Sequence, residues 1–164
     1  MHFSATTEYP ADAHAVAAML ADEDYVRRRA EATGAQEHHA EVLRDGEAFT
    51  VTTRLKMPTT MVPAKFRSFV GQTVEVRLVE AWGAPAADGT RTSTMTLSIP
   101  GVPVKVNGTQ RLSANGAGST ETYDGDVNAS IPLLGKKIEQ LAVDSVNKVV
   151  AVEKRIALEY LAGR

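Results

Sequence analysis

The 164-residue chain has no cysteine, which excludes disulfides, thiolate catalysis and cysteine-based zinc sites. Aromatic residues make up 5%, too few for an obvious base-stacking platform, so no nucleic-acid partner is expected. The formal net charge of -2 gives no global pull toward polyanions. No apolar run approaches the ~20 residues that span a bilayer, so stable membrane insertion is not expected. The first nine residues lack the basic and apolar regions of a signal peptide, and the chain reads as cytoplasmic. Also missing are a phosphate-cradling Gly-rich loop, a dinucleotide fingerprint, an H-E-x-x-H pair and a G-x-S-x-G elbow. No cofactor or metal site is expected.

What remains is an ordinary globular composition, 43% hydrophobic, over a length that fits one domain spanning residues 1–164. Phe3, Ala5, Thr7 and Tyr9 alternate with polar residues, a period-two strand pattern ended by Pro10. Asp12 caps a helix over Ala13–Leu20, and a second helical piece follows over about Asp24–Ala32. Strand patterns then recur: Ala35–Arg44, Glu47–Met57 after the Asp45-Gly46 turn, Gln72–Trp82, Arg91–Ile99, Val104–Ser113 and Thr120–Ile131. Pro63–Val70 reads as a short helix or an irregular crossing.

From Leu133 to Leu161 the period becomes helical. Leu134, Ile138, Leu141, Ala142, Ser145, Val149, Val152, Ile156 and Tyr160 are expected on one buried face. A helix of that length is far longer than the average of ~11–12 residues. The order predicts an α+β fold: a curved antiparallel sheet of about six or seven strands gripping a long C-terminal helix, with two short helices after the first strand. Each strand has one apolar face that needs a cover, and the long helix is the element able to supply it.

Few residues stand out chemically. Glu80 shares strand parity with Val74, Val76, Leu78 and Trp82, so its carboxylate is aimed at the apolar side unless a bulge or strand end returns it to water. In a dry cavity, desolvation raises its pKa. Gln110 shares parity with Val104, Val106 and Leu112. Ser145 interrupts the apolar helix stripe, where a serine commonly bonds its own helix carbonyl. Glu153 sits at the flank of that stripe. His38 and His39 are adjacent on a strand and point to opposite faces, which argues against one shared metal. Arg27, Arg28 and Arg29 read as a solvated charged helix face. Gly108, Gly125 and Ala129 fall on inner strand faces, where they either leave room for a ligand or let the helix approach closely.

The opening strand with Tyr9-Pro10-Ala11-Asp12, the Gly71–Trp82 strand and the run from Val127 through Pro132 and Gly135 to Glu139 resemble the START-like superfamily, also called SRPBCC or helix-grip. Within it the chain looks closest to a START-like family of high-GC bacteria. The resemblance covers nearly the whole chain, and its motifs are structural rather than catalytic. It implies a cavity between sheet and long helix that binds a small hydrophobic or amphipathic, lipid-like molecule. The alternatives are an enzyme of the polyketide cyclase or dehydratase type, with Glu80 and Gln110 as its inward polar groups, and an Aha1-like protein-interaction module with a filled core. The absence of a catalytic constellation favours a binder over an enzyme. Strand parity and the helix stripe place Val76, Leu78, Glu80, Met95, Leu97, Gln110, Tyr123, Val127, Leu141, Ser145 and Val149 around a pocket of roughly 300–1,000 Å³. The oligomeric state is open.

Overall fold

The computed structural model describes residues 1–163. Strand β1 (His2–Tyr9) leads into helices α1 (Ala13–Leu20) and α2 (Glu23–Glu31). Strands β2 (Glu37–Asp45) and β3 (Ala48–Pro58) follow, then a 3-10 turn (Thr59–Met61) and helix α3 (Ala64–Val70). Strands β4 (Thr73–Trp82), β5 (Arg91–Ile99), β6 (Val102–Asn115) and β7 (Gly118–Ala129) precede helix α4 (Gly135–Ala162). The seven strands form one antiparallel sheet in the order β1-β7-β6-β5-β4-β3-β2.

Local chemistry explains the boundaries. Asp12 accepts a hydrogen bond from the Ala15 amide at 2.7 Å, and Asp22 accepts from the amides of Asp24 and Tyr25. Each side chain thus satisfies amides that the first helical turn leaves unpaired. Gly46 has φ 60, the left-handed conformation that a two-residue hairpin loop needs. The α4 entry turn is held by amides of Leu134 and Gly135 donating to the Ile131 carbonyl. A Cβ on Gly135 would lie 2.2 Å from the Ala129 carbonyl oxygen, so only glycine fits there.

Directly opposed residues of an antiparallel sheet share a face. One inner row therefore crosses all seven strands: Val42, Val51, Glu80, Met95, Gly108, Gly125 and Phe3. At the Trp82 end this face is sealed. Tyr9, Val16, Met19, Tyr25, Val26, Phe49, Trp82, Leu112, Ile156 and Ala157 form one buried cluster drawn from the sheet, α1, α2 and the end of α4. A smaller cluster joins Phe3, Tyr123 and Val127 to Val150, with Val143 and Val146 packed against it.

Two sequence expectations need correction. The cover is shared, because α1 and α2 close one end of the sheet and α4 packs chiefly on β1, β7 and α2. The expected stripe of α4 is buried only in part: Ile156 is sealed, and Ala142 and Tyr160 pack on the two clusters. Val146, Val150 and Ala157 face inward, whereas Leu141 and Val149 are 45% and 54% exposed. The helix is one continuous element, as its period indicated, but Leu133 stands before it with φ 65.

Candidate functional site

Beneath α2 and the second half of α4 lies a buried polar network. Nη1 and Nη2 of Arg29 donate to the two carboxylate oxygens of Glu80, and Arg29 Nη1 is 3.7 Å from Glu153 Oε1. Gln110 Nε2 donates to Glu80 Oε1 at 3.0 Å and to Glu121 Oε1 at 3.4 Å. Gln110 Oε1 accepts from the Ser93 hydroxyl. The Tyr9 hydroxyl donates to Glu121 Oε2 at 2.9 Å, and the Tyr123 hydroxyl donates to Glu153 Oε2 at 3.3 Å.

Two carboxylates, Glu80 and Glu153, thus share one cation, and a third, Glu121, is held through Gln110 and Tyr9. Burial makes an unpaired charge costly, so the proton distribution shifts instead. Burial, reinforced by the nearby charge of Glu153, pushes the Glu121 carboxyl up to about 8, so it holds its proton at neutral pH. Burial also raises Glu153, against the opposing pull of Arg29. Burial alone would weaken the charge on Arg29, but Glu80 and Glu153 more than offset it and keep the guanidinium charged. The Tyr9, Tyr25 and Tyr123 hydroxyls are likewise held neutral, first by burial.

Toward the other end of the inner face the packing thins. Leu55, Val76, Leu78, Met95, Leu97 and Val106 share the inner rows and are half-buried rather than sealed. Asn147, Ala151 and Lys154 of α4 line a recess with Thr6, Thr7 and Glu8 of β1, which fixes the flank of the helix that meets the β1 edge. Ser145 and Val149 precede Asn147 and Ala151 by two residues, about 200° around the helix. Leu141 and Val149 are 45% and 54% exposed, and Leu141, nine residues before the buried Val150, lies about 180° around the helix from it. Among the described residues, Thr53 Oγ1 is the one buried side-chain polar atom without a partner, and it belongs to the same inner row as Leu78 and Leu97.

The sequence-derived residues divide between these regions. Glu80 and Gln110 are buried, at 3% and 2% exposure, and bonded to each other. Tyr123 and Val127 lie in the packed cluster beneath α4. Val76, Leu78, Met95 and Leu97 are half-buried on the inner sheet face, and Leu141 and Val149 are exposed on α4. The Ser145 hydroxyl donates to the Leu141 carbonyl at 2.8 Å. Two recesses of about 380 and 560 Å³ lie elsewhere, at the β1 edge and beside the β5–β6 turn, and contain none of the eleven residues. Gly108 and Gly125 do not leave empty volume. They face each other across β6 and β7, and the space is taken by Met95, Phe3 and the neighbouring strand's backbone.

Arg29, read from sequence as solvated, is 8% exposed. It is four residues after Tyr25 and adjoins Ala30, so the buried helical stripe passes through it. Glu121 was also missed, although it shares parity with Tyr123 and Val127. Ser93 shares parity with Met95 and was missed for the same reason. Tyr9 was read only as a strand residue. Only the register brings these side chains together.

A family model described as "Protein of unknown function (DUF2505)" matches residues 4–161. The chain belongs to the DUF2505 family. A DUF2505 chain thus carries the features just described. The uncharacterised protein Rv0481c of Mycobacterium tuberculosis is 30% identical over 92 residues, which are 55% of this chain and 52% of that protein. The match therefore spans about half the length of the curated relative. Two solved structures share the fold. The aromatase/cyclase Zhui from Streptomyces has a TM-score of 0.59 at 14% identity, over 98% of this chain and 92% of that one. A STAR-related lipid transfer protein from Xanthomonas axonopodis has a TM-score of 0.56 at 15% identity, over 95% and 85%. This DUF2505 protein has the START-like, helix-grip fold. Among the described residues no helix is long and apolar enough to cross a membrane.

Proposed function

We propose that this protein binds one small hydrophobic or amphipathic, lipid-like molecule in a trough between the inner sheet face and α4. Val76, Leu78, Met95 and Leu97 would form one wall and Leu141, Ser145 and Val149 the other. Tyr123 and Val127 would lie beneath the helix, with Glu80 and Gln110 in the polar floor. The observation that carries the reading is the exposure of apolar side chains on the inner sheet face and on α4. Covering them returns about 25 cal/mol per Å² of apolar surface removed from water, and an amphipathic ligand also offers a partner to Thr53 Oγ1. The shared fold of a lipid transfer protein supports the same reading by analogy. We place the protein in the cytoplasm, with which a cysteine-free chain is compatible.

Native mass spectrometry of protein purified from its own host tests the proposal by identifying a co-purifying ligand. A fluorescent fatty acid should bind the purified chain, and Leu97→Lys should weaken it at least tenfold, or about 1.4 kcal/mol. Equal binding by wild type and Leu97→Lys would remove the trough from consideration.

The cyclase alternative draws on one observation, the contact between Glu80 and Gln110. Against it, every polar atom of those two side chains is already engaged by Arg29, Ser93, Glu121 or the other. A saturated, buried carboxylate is poorly placed for proton exchange with a ligand. Glu80→Gln separates the readings: an enzyme would lose turnover while keeping analogue affinity within about tenfold, and a binder would change only in affinity and its pH dependence. The Aha1-like reading asked for a filled core, which the half-exposed inner residues do not favour.

A further inference from the structure

Three connections leave the sheet at its Ile99 end. Pro58 pairs with Thr73, Ile99 with Val102, and Val104 with Ala129. The segments 59–71, 99–105 and 130–138 therefore emerge on the same side. Together they carry Lys65, Arg67, Lys105, Lys136 and Lys137 and not one carboxylate, in a chain whose formal net charge is -2. Among the described residues none of these five cations is in an ion pair. Arg67 donates only to the neutral carbonyls of Thr59, Thr60 and Val62, which position its charge without cancelling it. The nearest following acid, Glu139, is occupied by the Ala129 amide and the N-terminal ammonium.

The same rim exposes two large apolar side chains, Phe69 at 70% and Leu133 at 101%. Leu133 has φ 65 and is the one non-glycine residue with positive φ among the described residues. Left-handed backbone is unfavourable for a residue bearing a Cβ, and persists only where surrounding structure enforces it. Here the enforcement is visible: Leu134 and Gly135 bond back to Ile131, and the Ser130 amide bonds to the Pro103 carbonyl. The turn holds a leucine, fully exposed, in a conformation better suited to glycine or asparagine.

We propose that this rim docks on an anionic lipid bilayer, with Lys65, Lys105, Lys136 and Lys137 at the headgroups and Leu133 and Phe69 entering the headgroup–acyl boundary. Cations surrounding separate apolar tips match a charged interface over an apolar layer. A protein partner would call for a contiguous apolar centre instead. A second copy across a two-fold axis would oppose like charges. The docking rests on the trough reading in one respect: it sets the open end of the trough against the source of its ligand.

Co-sedimentation of the full chain with vesicles tests this, comparing phosphatidylcholine alone with an equimolar mixture of phosphatidylcholine and phosphatidylglycerol. The anionic vesicles should bind at least tenfold more tightly, and added salt should remove the difference. Lys136→Glu with Lys137→Glu should weaken binding more than tenfold. Leu133→Gly should weaken it severalfold while leaving Tm unchanged or higher, because glycine adopts φ 65 without strain. A Leu133 that served only the fold would lower Tm on replacement. No binding to anionic vesicles, equal binding to both vesicles, or full binding by Leu133→Gly would overturn the proposal. A dimer in sedimentation velocity that dissociates in Leu133→Gly would overturn it in favour of self-association. Uptake of a fluorescent fatty acid from solution without vesicle binding would sink the docking and leave the trough. Vesicle binding without uptake would do the reverse.

Discussion

At the Trp82 end of the inner sheet face, α1, α2 and the last turns of α4 close over Tyr9, Phe49 and Leu112. At the Ile99 end the first half of α4 rests on β1 and β7, and the inner residues of β3, β4 and β5 keep some contact with solvent. The polar network belongs to the first end, at its border with the second. A buried ion pair survives only where its remaining hydrogen-bonding positions are filled, which the sealed end achieves through Gln110, Ser93 and the tyrosines. The open end holds no comparable buried charge and leaves apolar surface uncovered. One end is packed closed, and the other leaves apolar side chains half-exposed.

The comparison breaks first at Arg29. Arg29→Met removes the cation shared by Glu80 and Glu153 and should cost about 3–5 kcal/mol in urea unfolding, as for other buried pairs that lose one partner. A loss below about 1 kcal/mol would mean that the network is hydrated and the end not sealed. Adding Glu80→Gln to Arg29→Met should return part of the loss.

The next effect is on pH dependence. The folded pKa of Glu121, about 8, lies above its unfolded value near 4.3. Between the two the unfolded chain releases a proton that the folded chain keeps. Stability from this group is fully present at low pH and falls as pH rises from about 5 to 8, by up to about 1.4 kcal/mol per unit. Glu153, raised in the same direction, adds to the trend. Glu121→Gln should flatten the profile of Tm against pH. A wild-type profile that rises over this window would refute the assignment.

A smaller loss is expected at Gly125→Ala, where a Cβ would come 2.6 Å from the Asn107 carbonyl oxygen and 2.9 Å from Gly108 Cα. Overpacking against backbone should cost about 1–3 kcal/mol, measured as a shift of the urea midpoint. Smallest of all, Leu141→Ala at the open end should change stability by no more than about 0.5 kcal/mol. It should nonetheless weaken binding of the fluorescent fatty acid. A stability loss like that at Gly125 would place Leu141 in a packed core and erase the difference between the ends.

Strands and helices were legible wherever one periodicity governs a segment. Helix α1 and strand β5 begin and end where their patterns do, because a capping aspartate and a strict alternation are local signals. Parity alone directed Glu80 and Gln110 inward, since successive strand side chains alternate faces whatever the partner strand. The orientation of α4 was legible only in part, at Ala142, Ile156 and Tyr160. Its apolar residues occupy two adjoining flanks, and periodicity cannot say which one docks.

The sequence by itself determined the element order, the strand faces and the single long helix, all properties of residues close in the chain. Tertiary structure decided that Arg29 of α2, Glu80 of β4, Gln110 of β6, Glu121 of β7 and Glu153 of α4 share one network. It also decided that α1 and α2 seal one end while α4 leaves the other open. These are contacts across 11 to 51 residues and more of chain, created by strand register and helix docking. The stripe through Tyr25 and Ala30 turns Arg29 inward, but only the strand register brings the Glu80 carboxylate beside it.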